Sequence, residues 1–345
     1  MKQREANYDL LRILACAGVV LVHVSAIFAE TFIWDLADGL PGNHPFYTLM
    51  YNSAGRFAVP VFLMLTGAFV LGDARTADYR AFYRNSLKKI GIPYLIIVLV
   101  SCLYNAWIAY RIEYTGMAGV FGPLIKGVPF YHLWYMSVLF MIYLFLPWIE
   151  RVRMKLSPRG FAVLSVVWLL AGNTWLYLAD PVTMHWNPWE ALCYTGYVLM
   201  GYVIRTTVRR DSRGWLLVLA GIVLELWLGY QVYTGIRHGL DRELLEQRWL
   251  LAYTPGITVS SLLVFSGFGM INIDRDFRNL SMYSYPVFLV HALVLDLVLR
   301  LSRYYLGQRW LAHLDSRIFI PFLTLLILII SRVISPCLMR PKTHK

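Results

Sequence analysis

The stretch Lys89–Tyr110, "KIGIPYLIIVLVSCLYNAWIAY", decides the fold. After its first residue it carries no Asp, Glu, Lys or Arg. A helix needs about 20 predominantly apolar residues to cross a bilayer, and this stretch supplies them. Ile320–Met339, "IPFLTLLILIISRVISPCLM", repeats the pattern with a single arginine. Across all 345 residues, 58% are hydrophobic and 15% charged, well below the roughly 25% charge of soluble domains. The expectation is an all-α, polytopic membrane protein forming one domain over residues 1–345, with no soluble domain.

Apolar runs predict ten spans, near residues 8–28, 51–71, 90–110, 131–149, 160–178, 189–204, 215–232, 250–271, 282–301 and 318–338. Those at 189–204 and 250–271 are the weakest, because both contain several polar residues. The connections fall into two alternating sets, one holding 20 Lys and Arg and the other 7. The positive-inside rule puts the richer set, and with it both termini, in the cytoplasm. The formal charge of +12 is thus absorbed by topology, and nucleic acid is not expected as a partner. Membrane lipids are. The four cysteines lie in or against apolar runs with no C-x-x-C spacing, which supports neither a disulfide framework nor a metal site. The start resembles a signal peptide, but its apolar stretch is too long and no small-residue cleavage site follows; it reads as a retained first helix.

Ionisable residues inside spans are costly and by default suggest function. In Asp9–Ser25, "DLLRILACAGVVLVHVS", Arg12 and His23 are eleven residues apart. On a helix that is about 20° of rotation and about 16 Å of rise, so one face carries both. Arg12 as a snorkelling side chain and His23 as a structural hydrogen bonder is the plain alternative. Asp9, three residues before Arg12, is placed to pair with it. In Asn52–Gly72, "NSAGRFAVPVFLMLTGAFVLG", Arg56 enters a span and Pro60 frees backbone groups that need partners inside the protein. In Tyr131–Pro147, "YHLWYMSVLFMIYLFLP", His132, Trp134 and Tyr135 mark one end of a span, where an aromatic belt also explains the last two. In Ser281–Asp296, "SMYSYPVFLVHALVLD", His291 is mid-span, six residues past Tyr285 and five before Asp296. Glu225 is a further buried acid, read as pairing with a neighbour. Trp34, Trp175, Tyr177, Trp186 and Trp189, in or beside loops of the poorer set, offer rings able to stack on sugars or to sit in an interfacial belt.

Taken together, Arg12-x10-His23, "NSAGRFAVPVFLMLTG", "HLWYM" and "SMYSYPVFLVHA" resemble the acyltransferase-3 family of integral-membrane acyltransferases, in order and spacing, over essentially the whole chain. Within it the chain is most similar to the branch holding the O-acetyltransferase that modifies enterobacterial common antigen. Thr66-Gly67 stands where many members have Ser-Gly, and "FLM" where many have two phenylalanines; neither change touches an ionisable group.

The resemblance implies an O-acyltransferase of a bacterial inner membrane. It implies acyl-CoA, usually acetyl-CoA, as donor substrate, no metal, and a lipid-linked or envelope glycan as acceptor. It also implies His23, Arg12 and Arg56 as catalytic residues, with Asp9, His132, Trp134, Tyr135, Tyr285 and His291 at donor or acceptor positions. A histidine suits the chemistry because its unperturbed pKa is near 6.5: it takes the hydroxyl proton during attack and returns it to the thiolate. The alternative, His23 as a transient acyl carrier, stays open. So does the choice of oxyanion donor between Arg56 and groups near Thr66-Gly67. A transporter of a small polar solute or lipid-linked sugar is the competing reading, since buried His, Arg and Asp also serve proton relays.

Overall fold

A computed structural model describes residues 5–32, 44–112, 130–179, 188–306 and 314–338; Trp34 and Trp186 lie outside them. The described residues are helical, with no strand. The main helices are α1 (Ala6–Phe32), α2 (Pro45–Ser53), α3 (Ala58–Val70), α4 (Ile92–Ile112), α5 (Trp134–Lys155), α6 (Pro158–Leu178), α7 (Pro188–Thr207), α8 (Gly214–Arg237), α9 (Pro255–Met270), α10 (Ser284–Leu306) and α11 (Ser316–Ile334). Eight helical stretches are long and apolar enough to cross a membrane: Ala6–Ala29, Pro45–Val70, Tyr79–Trp107, Tyr131–Lys155, Pro158–Leu178, Gly214–Arg237, Ser284–Leu306 and Ser316–Leu338. Large apolar side chains stand outward on them, Leu103 at 71% and Val333 at 70% exposure. Soluble monomers do not expose apolar surface on that scale; lipid is what covers it. The chain is an all-α, polytopic membrane protein.

The two spans read as weakest are α7 and α9, and burial explains their polarity. α7 packs along α3 and α6, and α9 along α8. From Ala191 to Leu199 every residue of α7 except Leu192 is buried. A helix enclosed by other helices has its polar groups answered by protein, so it need not be apolar. Asn173 of α6, Tyr197 of α7 and Thr258 of α9 do this, with Asn173 Nδ2 donating at 3.1 Å and 2.8 Å to the two hydroxyls. With no hydrophobic drive between helices in lipid, close packing of small residues holds such a bundle. The seam between α3 and α7 is the tightest instance. A Cβ on Gly67 would overlap the Val198 carbonyl, and one on Gly201 the Met64 carbonyl.

α1 is central. It touches α2, α3, α9, α10 and α11, and Leu11, Val20, Val24 and Phe28 are fully buried. The second span is not one helix but two, α2 and α3, separated by turn residues 54–57. At that break a Cβ on Gly55 would meet the Gly18 carbonyl and the Val22 side chain, so the break lies directly on α1. Pro60 is tolerated because it sits in the first turn of α3, where its missing N–H costs nothing.

Candidate functional site

Three helix-borne imidazoles meet. The His23 ring of α1 lies 5.3 Å from that of His291 in α10, and His291 lies 4.9 Å from His132. His132 is held in the 3-10 turn Tyr131–Leu133 that leads into α5. The neighbouring Tyr131 packs edge-on against His23 at 5.0 Å. His132 and His291 are buried, at 1% and 0% exposure, whereas His23 is only partly buried. His23 is thus the least enclosed residue of the three, and the other two stand behind it.

Both buried histidines are fixed by backbone carbonyls. His132 Nε2 is 3.1 Å from the Leu289 carbonyl, and His291 Nδ1 is 2.6 Å from the Phe288 carbonyl. Phe288 also packs against both rings, 5.7 Å from His132 and 5.8 Å from His291. The three histidines come from three distant parts of the chain, and the fold alone brings them together. Among the described residues, no group of three or more His, Cys, Asp or Glu is arranged to hold a metal ion.

Arg56 completes the cluster from the break between α2 and α3. Its Nε donates to Asn52 Oδ1 at 2.9 Å, and its Nη2 reaches the same oxygen. Asn52 Nδ2 in turn donates to the Val22 carbonyl at 3.2 Å and to Ser25 Oγ at 3.1 Å. One buried amide therefore ties the guanidinium to the residues of α1 that flank His23. Glu246 Oε2 lies 3.7 Å from Arg56 Nη2 and its Oε1 2.5 Å from Arg242 Nε, and Glu225 interacts with Arg56 electrostatically. Glu225 accepts from Ser260 Oγ at 2.9 Å, so this acid does have the partner expected of it. A snorkelling Arg56 does not fit these bonds.

Asn52→Ala removes the acceptor of a charged fork and two bonds to α1, while Asn52 is only 1% exposed. Hydrogen bonds to charged groups contribute about 1.5–3 kcal/mol, and a loss of that order is expected. It is read as a lowered thermal midpoint of the purified protein, and an unchanged midpoint would show that Asn52 does not hold Arg56.

Arg12 belongs to the other end of α1. Its Nη1 donates to Asp9 Oδ1 at 3.1 Å, and Asp9 Oδ1 also accepts from Ser281 Oγ at 2.7 Å. The Arg12 guanidinium lies 5.4 Å from the Phe69 ring centroid and that of Arg205, from α7, 4.5 Å from the same centroid. Each cation has a carboxylate partner, Asp9 for Arg12 at 3.1 Å and Glu5 for Arg205 at 2.7 Å, so this end is a charged cluster set on one ring.

The remaining candidates are dispersed. Tyr135 packs against Phe288 at 5.3 Å, one ring removed from the imidazoles. Trp134 faces Tyr194 of α7 at 6.4 Å. The Tyr285 hydroxyl donates to the Ile90 carbonyl at 2.8 Å, in the π-helical turn Leu87–Gly91, whose i→i+5 pattern disturbs the regular ladder. Asp296 is bound by Arg300 Nε at 2.7 Å and by Tyr104 rather than by His291. Thr66 Oγ1 donates to its own helix at the Phe62 carbonyl, and Gly67 faces α7. Gly67 therefore packs α3 against α7, and among the oxyanion candidates Arg56 is the one tied through Asn52 to the residues flanking His23. Trp175, Tyr177 and Trp189 are exposed. Sequence reading missed Asn52, Tyr131, Phe69 and Arg205. The four-residue spacing of Asn52 and Arg56 on a helical stretch was the signal available for the first.

A protein-family model described as an acyltransferase domain matches residues 5–336. Among curated proteins, an amino-acid racemase of Enterococcus faecalis is 30% identical over 195 residues, 53% of this chain and 25% of that protein. The match thus spans about a quarter of that relative's length. No solved structure matches.

Proposed function

The chain belongs to this acyltransferase family, and from that premise we propose that it transfers an acyl group, acetyl in the first instance, from acyl-CoA to a hydroxyl of a lipid-linked or envelope sugar. One observation carries the reading. His23, only partly buried, stands against the buried His291, which is backed in turn by His132, at one end of α1, while Arg12, on nearly the same face, stands with Arg205 at the other. In the proposed step the sugar oxygen attacks the thioester carbonyl as His23 takes the hydroxyl proton. Arg56 stabilises the oxyanion of the tetrahedral intermediate. Its collapse breaks the C–S bond, and His23 returns the proton to the thiolate, giving the ester and free CoA.

Arg12 cannot reach the same atom, being about 16 Å away along the helix. With Arg205 it suits the phosphates of CoA, and this end would then be the cytoplasmic one, in keeping with the basic loops around it. An inner-membrane location and an acceptor like that of the enterobacterial common antigen branch rest on the resemblance described above. The racemase activity of the partial relative is not carried over, because the matched segment is a minor part of that protein.

The test is purified protein given acetyl-CoA, followed by thermal shift and by release of free CoA. The parent is expected to be stabilised by acetyl-CoA and to release CoA, slowly to water and faster with an acceptor. Arg12→Ala is expected to weaken acetyl-CoA binding by roughly ten- to a hundredfold, the worth of one or two charge-assisted contacts to phosphate. A parent with neither stabilisation nor release would refute the reading and turn attention to solute flux.

A further inference from the structure

The single arginine of Ile320–Met339 plays no part in the site described above. Arg332 lies within the span Ser316–Leu338, and its guanidinium carbon is 3.2 Å from the centroid of the Tyr283 ring. A snorkelling arginine reaches away toward water; this one is held on the protein. Its Nε is buried and has no hydrogen-bond partner. Arg12, Arg56, Arg153, Arg205 and Arg300 each have a carboxylate at 3.7 Å or less. Arg332 has none among the described residues, and residues 1–4 and 339–345 contain no Asp or Glu. A cation inside a span is costly and calls for a partner, and a buried N–H calls for an acceptor. Here the partner comes from outside the chain.

Position says what that partner is. Tyr283 is two residues past Ser281, whose Oγ donates to Asp9, the partner of Arg12, so Arg332 stands at the Arg12 end of the bundle. Around α11 it lies about 20° from Leu325 and about 60° from Ile329, which are 58% and 52% exposed. The inward arc is a different one, where Ile320, Ile327 and Ser331 are fully buried. Leu325 and Ile329 precede Arg332 on the helix and so lie toward the membrane interior from it. A guanidinium placed there offers its planar fork of donors to a phosphate, and the apolar arc offers a bed for acyl chains. A water-soluble phosphate has no chains to lay there. A zwitterionic headgroup carries its own ammonium to answer its phosphate; an anionic one does not. We infer that Arg332, set on Tyr283, is the headgroup site of one bound anionic phospholipid, whose chains run along Leu325 and Ile329. In sequence Arg340, Lys342 and Lys345 follow, and such cations next to a span favour an anionic surface. The site is independent of the acyl-transfer reading and meets it at one point: a phosphate on Arg332 would steady the turn from which Ser281 holds Asp9.

The test titrates the full chain in detergent with phosphatidylglycerol, phosphatidylcholine, inorganic phosphate or acetyl-CoA. Bound lipid is counted by native mass spectrometry, and stability is read as the melting midpoint. Arg332→Gln and Arg332→Met both remove the charge and keep an unbranched stem over Tyr283. Because Arg332 has no carboxylate to leave behind, both are expected to melt like the parent without lipid, and either one that does so decides the question.

The parent is expected to hold one phosphatidylglycerol at about tenfold or more lower concentration than phosphatidylcholine, the worth of a charge-assisted hydrogen bond. The variants are expected to bind the two lipids alike and to respond to acetyl-CoA as the parent does. A parent with no preference between the lipids, or a preference that survives in the variants, would overturn the inference. Stabilisation by inorganic phosphate that the variants lose, or an acetyl-CoA response that they lose, would give Arg332 to a soluble phosphate and overturn it equally.

Discussion

His23→Ala is expected to lower CoA release by two to four orders of magnitude while acetyl-CoA still stabilises the protein. The size follows from what a positioned base contributes, about 10²–10⁴ in rate. The selectivity follows from position: Arg12 and Arg205, proposed to hold the donor's phosphates, converge on Phe69, and His23 is about eleven helical rises away. The substitution removes the side chain of a partly buried residue that packs edge-on against Tyr131 and tilted against His291, so folding has little to lose. Turnover and acetyl-CoA binding are to be measured on the same preparation. Release within about fivefold of the parent, far short of a lost base, would remove His23 from the chemistry. Loss of binding in step with turnover would recast it as a donor-site residue.

Gly201→Val is expected to do the reverse and abolish folded protein. A Cβ on Gly201 would overlap the Met64 carbonyl, and the reciprocal Gly67 faces the Val198 carbonyl. The obstructing atoms are backbone, so no rotamer relieves the clash and the helices themselves must part. Overpacking a well-filled core already costs about 1–3 kcal/mol where side chains can shift; a seam of two backbones has no such release. The measurement is the yield of monodisperse protein after detergent extraction. A parent-like yield and midpoint would mean that α3 and α7 are not in the contact described. Any protein that survives is expected to bind acetyl-CoA less well, since Arg205 of α7 meets Ala68 and Phe69 of α3 along the same seam.

These two predictions also mark what the amino-acid order made legible. Stretches such as Ile90–Tyr110 announce themselves, because lipid demands an unbroken apolar run and little else. α7 and α9 do so only weakly, since a helix enclosed by other helices is free of that demand and carries Tyr197, Thr195 and Ser260 instead. The ionisable residues were conspicuous for the same reason. What they do together was not. No periodicity links positions 23, 132 and 291, and their meeting is a product of tertiary packing. Local geometry hid less: Asn52 lies one helical turn before Arg56, and its bonds follow from that spacing. Gly67 was legible in part: Thr66-Gly67 reads as a place for close backbone approach as well as an oxyanion donor, and the Val198 carbonyl against Gly67 shows that smallness is what the position requires.

α1 carries both ends of the proposed reaction on one unbroken helix clasped by five others. It works as a ruler. The span between the place where a donor's charged head would dock and the place where its thioester would react is marked off by eleven residues of rigid rod, and no hinge motion lengthens it. Selection among acyl groups must then come from room beyond His23, because every CoA thioester presents its sulfur at the same reach. A single residue inserted between Arg12 and His23 would add only about 1.5 Å, but would swing the histidine about 100° around the rod; the ruler would still be nearly the right length and would read on the wrong side.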